Sequence, residues 1–344
     1  MMLQKLNAID FGNYNIKVAR GKMRLRKVVV DEASRIRTPE GLVDDGLLTN
    51  PAKLVGEMGA SLELLRRHSK ETIITASSSQ IIVSDLVVPK LSGREMQKVL
   101  EAEMEEKLHI KPEEYAVNFK TIEAVADEER NGMRLLAVAV PKRIIESYLT
   151  FLEHAKLESY AIDFIGNSLV KQVIAEVETR EARRQNVVIM DIGYRNTKVS
   201  VMINGQLRYF RTFYNACEAM FRAVCERMHC SWDEARDLTR KYGVMPCNEE
   251  GYSGQYVEVS HAVKAVLSWI CGDIKAYLGE IDIAADKVIL VGGGALLKNI
   301  EEHMRKEFNT HVFRHTRFGE VRASEDAEAE LGAYFAGAFG ALKR

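Results

Sequence analysis

No apolar run in this chain approaches the length of a membrane-spanning helix, which excludes a helical transmembrane protein. No charged-then-apolar leader with a cleavage site opens it either. Met1 to Asp10 runs straight into a strand pattern, so the chain is expected to stay in the cytoplasm. Cysteine is scarce: Cys217, Cys225, Cys230, Cys247 and Cys271 are odd in number and form no Cys-x-x-Cys pair, so neither a disulfide framework nor a zinc site is expected. Net charge is nearly absent at -1, which removes any electrostatic ground for nucleic acid or anionic lipid as a partner. Low-complexity tails and disordered linkers are missing too. What is present is ordinary for a globular protein: 344 residues, 47% hydrophobic and 28% charged, enough to bury two sizeable cores.

Three short runs carry most of the information. Ile9-Asp10-Phe11-Gly12 and Met190-Asp191-Ile192-Gly193 each place an acid and a glycine at the end of an apolar stretch and then return to strand-like residues, the pattern of a β-hairpin with a tight acidic tip. Such a tip can face a phosphate, because glycine lets backbone N–H groups approach anionic oxygens and a carboxylate can hold hydrated Mg²⁺ against them. An acid followed by glycine is also a plain hairpin turn signal with no ligand. The third run shifts the balance: Val288-Ile289-Leu290-Val291, then Gly292-Gly293-Gly294 and Ala295-Leu296-Leu297, reads as a buried strand entering a helix N-terminus through a bare turn. Two tips and a glycine turn facing one another would clamp a nucleoside triphosphate.

Along the chain, strands and helices alternate. Ile9 to Val18, Leu25 to Val30 and Ile73 to Ala76 read as strands, and Pro51 to His68 as a helix with Leu54, Val55, Met58, Leu62 and Leu65 on one face. From Ile81 the pattern changes: apolar runs Ile81 to Val83 and Leu86 to Val88, Pro89, a helix from Gly93 to Leu108, and strands at Tyr115 to Ile122 and Met133 to Val140. This is a small α+β module inserted in the first domain. Ile144 to Lys156 and Asn167 to Thr179 read as helices around an extended Tyr160 to Phe164, and the charged stretch Arg180 to Gln185 marks a domain boundary. The second half opens with a hairpin turning at Asn204-Gly205, continues in helices to Tyr242, loops from Asn248 to Gln255, and forms a long helix from Val257 to Leu278 with Val259, Val263, Val266, Trp269, Ile270 and Ile274 for its inner face.

The order of hairpin, inserted module, second Asp-x-Gly hairpin and late triglycine resembles the actin-like ATPase superfamily. Within it the chain is similar to the PilM family of type IV pilus assembly proteins and more distantly to the FtsA family. The closest local match is the module, through Leu86 to Pro89, Leu91-Ser92-Gly93-Arg94-Glu95-Met96, the helix through Glu103, and Ile110-Lys111-Pro112-Glu113-Glu114; Leu135 to Pro141, Asp163 and Leu331 to Arg344 match as well. The resemblance implies an α/β, actin-like two-domain fold with an inserted small α+β subdomain of the 1C type. Residues 1–180 would be domain I, with the module at about 81–140; residues 181–325 domain II; and residues 326–344 a C-terminal helix returning to domain I. It also implies ATP and Mg²⁺ as ligands. Asp10, Gly12, Asn13, Tyr14, Asn15 and Lys17 would meet the β- and γ-phosphates, with Asp191, Gly193, Tyr194, Arg195, Asn196 and Thr197 closing from the other side, Gly292, Gly293 and Gly294 near the adenosine and α-phosphate, and Asp10 and Asp191 beside the metal. Lys17 and Arg195 read equally well as solvated cations. Asp163 is a metal or water ligand, or a helix cap ahead of Phe164 to Val170.

Two stretches depart from the family pattern. Tyr214-Asn215-Ala216-Cys217 stands where relatives place Gly-Gly, and Arg236 and Thr239 stand where relatives offer Glu and Lys to the nucleotide. With no base evident for positioning water, catalytic residues are unknown and hydrolysis is expected to be slow or absent. Three functions fit. One is a cytoplasmic ATP-binding scaffold of pilus assembly, peripheral at the inner face of the cell membrane through the short cytoplasmic tail of a PilN-like bitopic protein, with pilus motor ATPases and a second copy as further partners. The second is a sugar or acid kinase, needing a carboxylate base for which Asp163 is the candidate. The third is an FtsA-like filament former. Leu331 to Leu342 is rich in Ala and Gly instead of bulky apolar residues, which argues against direct membrane insertion.

Overall fold

A computed structural model describes residues 5–24, 27–67, 69–91, 93–108, 110–126, 131–174, 184–246, 254–316 and 332–343. The chain opens with an antiparallel meander, β1 (Lys5–Phe11), β2 (Asn15–Arg24) and β3 (Lys27–Arg37), followed by the short pair β4 (Val43–Asp44) and β5 (Leu47–Leu48) and by helix α1 (Pro51–Arg66). Asn50 caps α1 by accepting from Lys53 N at 3.0 Å, and Pro51 takes the first position, where its missing N–H costs nothing. Strand β6 (Glu71–Ala76) returns parallel to β1.

The module then leaves the sheet. Strands β7 (Ile82–Pro89), β8 (Tyr115–Ala126) and β9 (Asn131–Pro141) make their own sheet in the order β7-β9-β8, covered by helix α2 (Gly93–Leu108), which buries Met96, Leu100 and Met104 against Leu86, Val88, Leu135, Ala137 and Ala139. The two apolar runs around Ser84-Asp85 are one strand. Helix α3 (Lys142–His154), strand β10 (Glu158–Phe164) and helix α4 (Ile165–Val173) complete the first half, giving a sheet ordered β10-β6-β1-β2-β3. The helix expected from Asn167 thus starts earlier, and its reach to Thr179, the boundary at Arg180 and the loop from Asn248 lie in or across residues outside those described.

The second half repeats that plan. Strands β11 (Val187–Ile192), β12 (Thr197–Ile203) and β13 (Gln206–Phe213) form the meander, turning at Asn204 (φ 54) and Gly205 (φ 75), the left-handed pair an Asn-Gly hairpin turn requires. Helices α5 (Cys217–Met228), α6 (Trp232–Tyr242) and α7 (Gln255–Glu280) follow, then β14 (Lys287–Val291) parallel to β11, helix α8 (Ile300–Phe308) and β15 (His311–Arg314), in the order β13-β12-β11-β14-β15. In α7 the expected inner face holds at Val259, Val263, Val266, Ile270 and Ile274, but Trp269 is 59% exposed. One position beside Ile270 is about 100° round a helix, and the six positions span more arc than one buried stripe provides.

The two sheets exchange their inner covers. Helix α4, from the first half, packs on β12 and β13, while the C-terminal helix α9 (Ala336–Ala341) lies on β1, β2 and β6 and against α4. Phe335, Ala338, Phe339 and Leu342 bury against Leu6, Ala8, Ala19, Val28 and Ile73. The α4–α9 approach is so close that a Cβ at Gly340 would collide with the Ser168 carbonyl. Phe164 of β10 and Phe210 of β13, ring centroids 4.7 Å apart, join the two lobes.

Candidate functional site

The cleft between the lobes is built from strand ends. Asp10 is the second-last residue of β1 and sits opposite Lys17 on β2, which sits opposite Arg35 on β3. In the second lobe Asp191 sits opposite Lys198. Both tips turn on a glycine: a Cβ at Gly12 would lie 2.6 Å from the Asn15 carbonyl oxygen, and one at Gly193 would lie 2.7 Å from that of Asn196. The tips meet, with the rings of Tyr14 and Tyr194 4.8 Å apart and the Arg37 guanidinium stacked on Tyr14 at 3.3 Å.

Electrostatics hold Lys17 in its charged form. Lys17 Nζ lies 2.9 Å from Asp10 Oδ2, and although burial pulls its pKa down, Asp10, Tyr334 and Asp191 together drive it above the ordinary lysine value. Lys198 Nζ lies 3.6 Å from Asp191 Oδ2. Tyr334 enters from the segment ahead of α9: its hydroxyl accepts from Asn15 Nδ2, and Lys17 and Arg35 lie 5.3 Å and 5.5 Å from its ring centre. Burial pushes the Cys217 thiol up to about 12, so it faces the cleft as a neutral, weakly polar group.

These residues surround a cavity of about 340 Å³. Its charged end holds Asp10, Lys17, Arg35, Asp191 and Lys198; Cys217, Phe221, Leu296 and Leu297 supply apolar wall, and Arg240 of α6 reaches it from the second lobe. Of the residues expected from sequence, Asp10, Gly12, Asn13, Tyr14, Asn15, Lys17, Asp191, Gly193, Tyr194, Asn196, Gly292 and Gly293 border the cavity, and Arg195, Thr197 and Gly294 do not. Arg195 is half exposed near Asp44 and Glu218. The Thr197 hydroxyl is buried, donating to Asn215 O at 2.6 Å. A Cβ at Gly294 would strike Ile192, which makes that glycine a packing residue.

The triglycine run does not open a helix. A single 3₁₀ turn, Gly294–Leu296, starts on its last glycine, and α8 begins only at Ile300. Gly292 has φ +85, its Cβ position is filled by Asp191 Oδ1, and its N–H already donates to Ala333 O at 2.9 Å. Gly293 is the one of the three whose side faces open cleft, with Tyr334 3.4 Å away. Thr239, buried, donates to Ala235 O, and Arg236 pairs with Asp233 and Asp237; neither borders the cavity.

Sequence reasoning missed Lys198, Arg35, Arg240 and Tyr334. Lys198 had a signal, since both tips spell Asp-x-Gly-x-x-Asn-x-Lys. Arg35 and Tyr334 had none, because only strand pairing and the returning C-terminal segment bring them here.

Asp163 belongs elsewhere. Its carboxylate accepts from Phe164 N and Asn167 Nδ2 at 2.9 Å and from Ser168 Oγ at 2.7 Å, and pairs with Lys171 at 2.7 Å, ordering the first turns of α4. The residue at the cap is Phe164. Asp163 borders a second cavity, of about 520 Å³, between β8 at the free edge of the module sheet and β10 at the edge of the first sheet. Val117, Phe119, Val138, Val140, Ile145, Ile162, Phe164 and Leu207 make it apolar, Leu207 coming from the second lobe. Among the described residues no group of three or more His, Cys, Asp or Glu side chains converges as a metal cage.

Residues 8–337 match the family model described as type IV pilus assembly protein PilM. No curated protein matches the chain by sequence. Among solved structures it is similar to the PilM-PilN type IV pilus biogenesis complex at TM-score 0.84 and 18% identity, covering 98% of this chain and 97% of that one. It is also similar to ethanolamine utilization protein EutJ from Carboxydothermus hydrogenoformans, at TM-score 0.60 and 12% identity over 100% of this chain and 91% of that one. A third is MreB5 of Spiroplasma citri bound to AMPPNP, at TM-score 0.53 and 10% identity over 97% and 94%.

Proposed function

The chain belongs to the PilM family of type IV pilus assembly proteins and has the actin-like fold, and from that premise we propose that it is a cytoplasmic, ATP-binding scaffold that docks the cytoplasmic tail of a PilN-like membrane protein. The observation that carries the nucleotide reading is the pair of facing tips, each ending a β-strand on an aspartate with a lysine opposite. A triphosphate would draw Lys17 onto its oxygens, with Gly293 leaving room for close approach while Gly12 and Gly193 let the tips turn tightly. Asp10 and Asp191, hard oxygen donors on opposite walls, suit Mg²⁺ held through its water, which would neutralise phosphate charge. Likeness to MreB5, solved with AMPPNP, supports the ligand class.

Slow or absent hydrolysis fits the same geometry. Among the described residues the carboxylates bordering the cavity are Asp10 and Asp191, and each faces a lysine across its own hairpin, so neither stands free to position an attacking water. Asp163, the base a kinase would have needed, is tied to α4.

Docking of the tail rests on the second cavity. Strands β8 and β10 are both sheet edges, and the apolar channel between them suits an extended peptide added as a strand. None of the described helices is long and apolar enough to cross a membrane, so membrane attachment would run through that partner. Pilus motor ATPases and a second copy of the chain are the further partners proposed, on family membership alone.

The test is nucleotide content after gentle purification, with and without Mg²⁺, followed by titration with ATP. Asp10→Ala is expected to weaken Mg²⁺-dependent ATP binding by about 1–3 kcal/mol, the scale of one charge-assisted contact. Unchanged affinity removes Asp10 from the site, and a multiple-turnover rate of about 1 per second or faster replaces the scaffold with an enzyme. Recruitment to vesicles bearing the partner tail that survives deletion of residues 81–140 removes the module from docking.

A further inference from the structure

We infer that Lys198 is a second phosphate ligand of the cleft, the counterpart in the second lobe of Lys17 in the first. The inference rests on the cleft being a nucleotide site and adds a residue and a charge pattern to it. Asp10-Phe11-Gly12-Asn13-Tyr14-Asn15-Ile16-Lys17 and Asp191-Ile192-Gly193-Tyr194-Arg195-Asn196-Thr197-Lys198 share acid, glycine, asparagine and lysine at the same four places. Register converts that repeat into geometry: each lysine stands directly across its hairpin from the aspartate, and both border the same cavity. The walls therefore present their ammonium groups from opposite sides.

Burial and distance say what Lys198 lacks. Its side chain is 12% exposed, less than the 16% of Lys17, so its charge is largely withdrawn from water. Lys17 is within hydrogen-bond distance of Asp10 at 2.9 Å, but Lys198 stands 3.6 Å from Asp191, an ion pair outside hydrogen-bond reach. An ammonium has three donors, and a sheltered one without a close acceptor gains most from an anionic oxygen. A chain of linked phosphates offers such oxygens to both lysines at once, whereas a nucleoside without phosphates offers them to neither. The ligand class is thus set by its polyphosphate part.

The experiment titrates wild type, Lys198→Met, Lys198→Arg and Lys17→Met with ATP, inorganic pyrophosphate and adenosine, and records thermal unfolding of each unliganded protein. Lys198→Met is expected to lose about tenfold in affinity for ATP and pyrophosphate, the scale of one charge-assisted hydrogen bond. Adenosine affinity should stay put even though leaving Asp191 without its ion-pair partner lowers the unfolding temperature, Lys198→Arg should recover most of both losses, and Lys17→Met should show the same selectivity. Lys198→Met binding ATP as tightly as wild type overturns the inference and leaves the nucleotide reading standing. Equal losses for ATP and adenosine overturn it as well, by making Lys198 a structural partner of Asp191. Wild type that binds none of the three ligands removes the nucleotide reading and this inference together.

Discussion

The two lobes have one sheet topology and spend their insertions in different places. After β6 the first lobe runs through Ser77, which borders the cleft, and Ser78-Ser79 into the module; after β14 the second lobe takes the glycine turn. After β13 the second lobe inserts α5, α6 and α7, which supply Cys217, Phe221 and Arg240 to the cleft. Across the meanders the ladder reads Asp10-Lys17-Arg35 in one lobe and Asp191-Lys198-Thr212 in the other. The hairpin tips that face each other are duplicated, and the insertions carry what makes the lobes different: a groove beside the module on the first, an apolar wall of the cleft on the second.

That comparison can be broken first at the exchanged covers. Phe339 is fully buried between α9 and the first sheet, so Phe339→Ala should cost about 3–5 kcal/mol and strip amide protection from β1, β2 and β6 before β11 and β14. Equal loss in both sheets would mean the lobes unfold as one unit. Leu100 lies in the module's own core, and Leu100→Ala should cost about 2–5 kcal/mol confined to α2 and β7 to β9, read by hydrogen exchange with the body protected. Loss of the whole fold would make the module part of the first lobe's core.

A smaller effect is expected where the lobes touch. Asp85 on β7 receives Arg208 Nε of β13 at 2.8 Å and Arg134 at 3.2 Å, with Glu123 beside both arginines. Arg208→Met leaves Asp85 with Arg134, so the cost should be about 2 kcal/mol, below that of orphaning a buried charge. Denaturant titration of Arg208→Met with and without Arg134→Met shows whether the second arginine rescues. The smallest effect sharpens how each helix is specified. Ser231 and Glu234 form a reciprocal capping box on α6, while α3 and α4 start at Pro141 and Phe164 without a side-chain cap. Ser231→Ala should cost about 1 kcal/mol, measured by thermal unfolding, and no local substitution at Pro141 or Phe164 should act through capping.

Local chemistry explains which features could be read from the chain. The Asn204-Gly205 turn, the Pro51 start of α1 and the bounds of α2 are set by residues adjacent in sequence, and they appear where expected. The acidic tips were legible for the same reason. The triglycine run was misread as a helix start because what fixes Gly292 and Gly294 is Asp191 and Ile192, side chains of another strand. Trp269 was placed inward by a six-residue stripe wider than the helix buries. Arg35 and Tyr334 were invisible because nothing near them in sequence announces a cleft.

The sheet that begins the chain is roofed by residues made after everything they cover. During synthesis β1, β2 and β6 leave the ribosome with Leu6, Ala8, Ala19 and Ile73 bare on one face, and that face stays bare until Phe335 and Phe339 emerge. The second sheet has no such wait, since α4 precedes it. The second lobe can therefore fold as it is translated, while the first must hold an unfinished sheet for the whole interval. A chain cut after β15 and tethered to the ribosome by a flexible linker long enough to clear the exit tunnel should display a second lobe that resists protease and a first lobe that binds a chaperone.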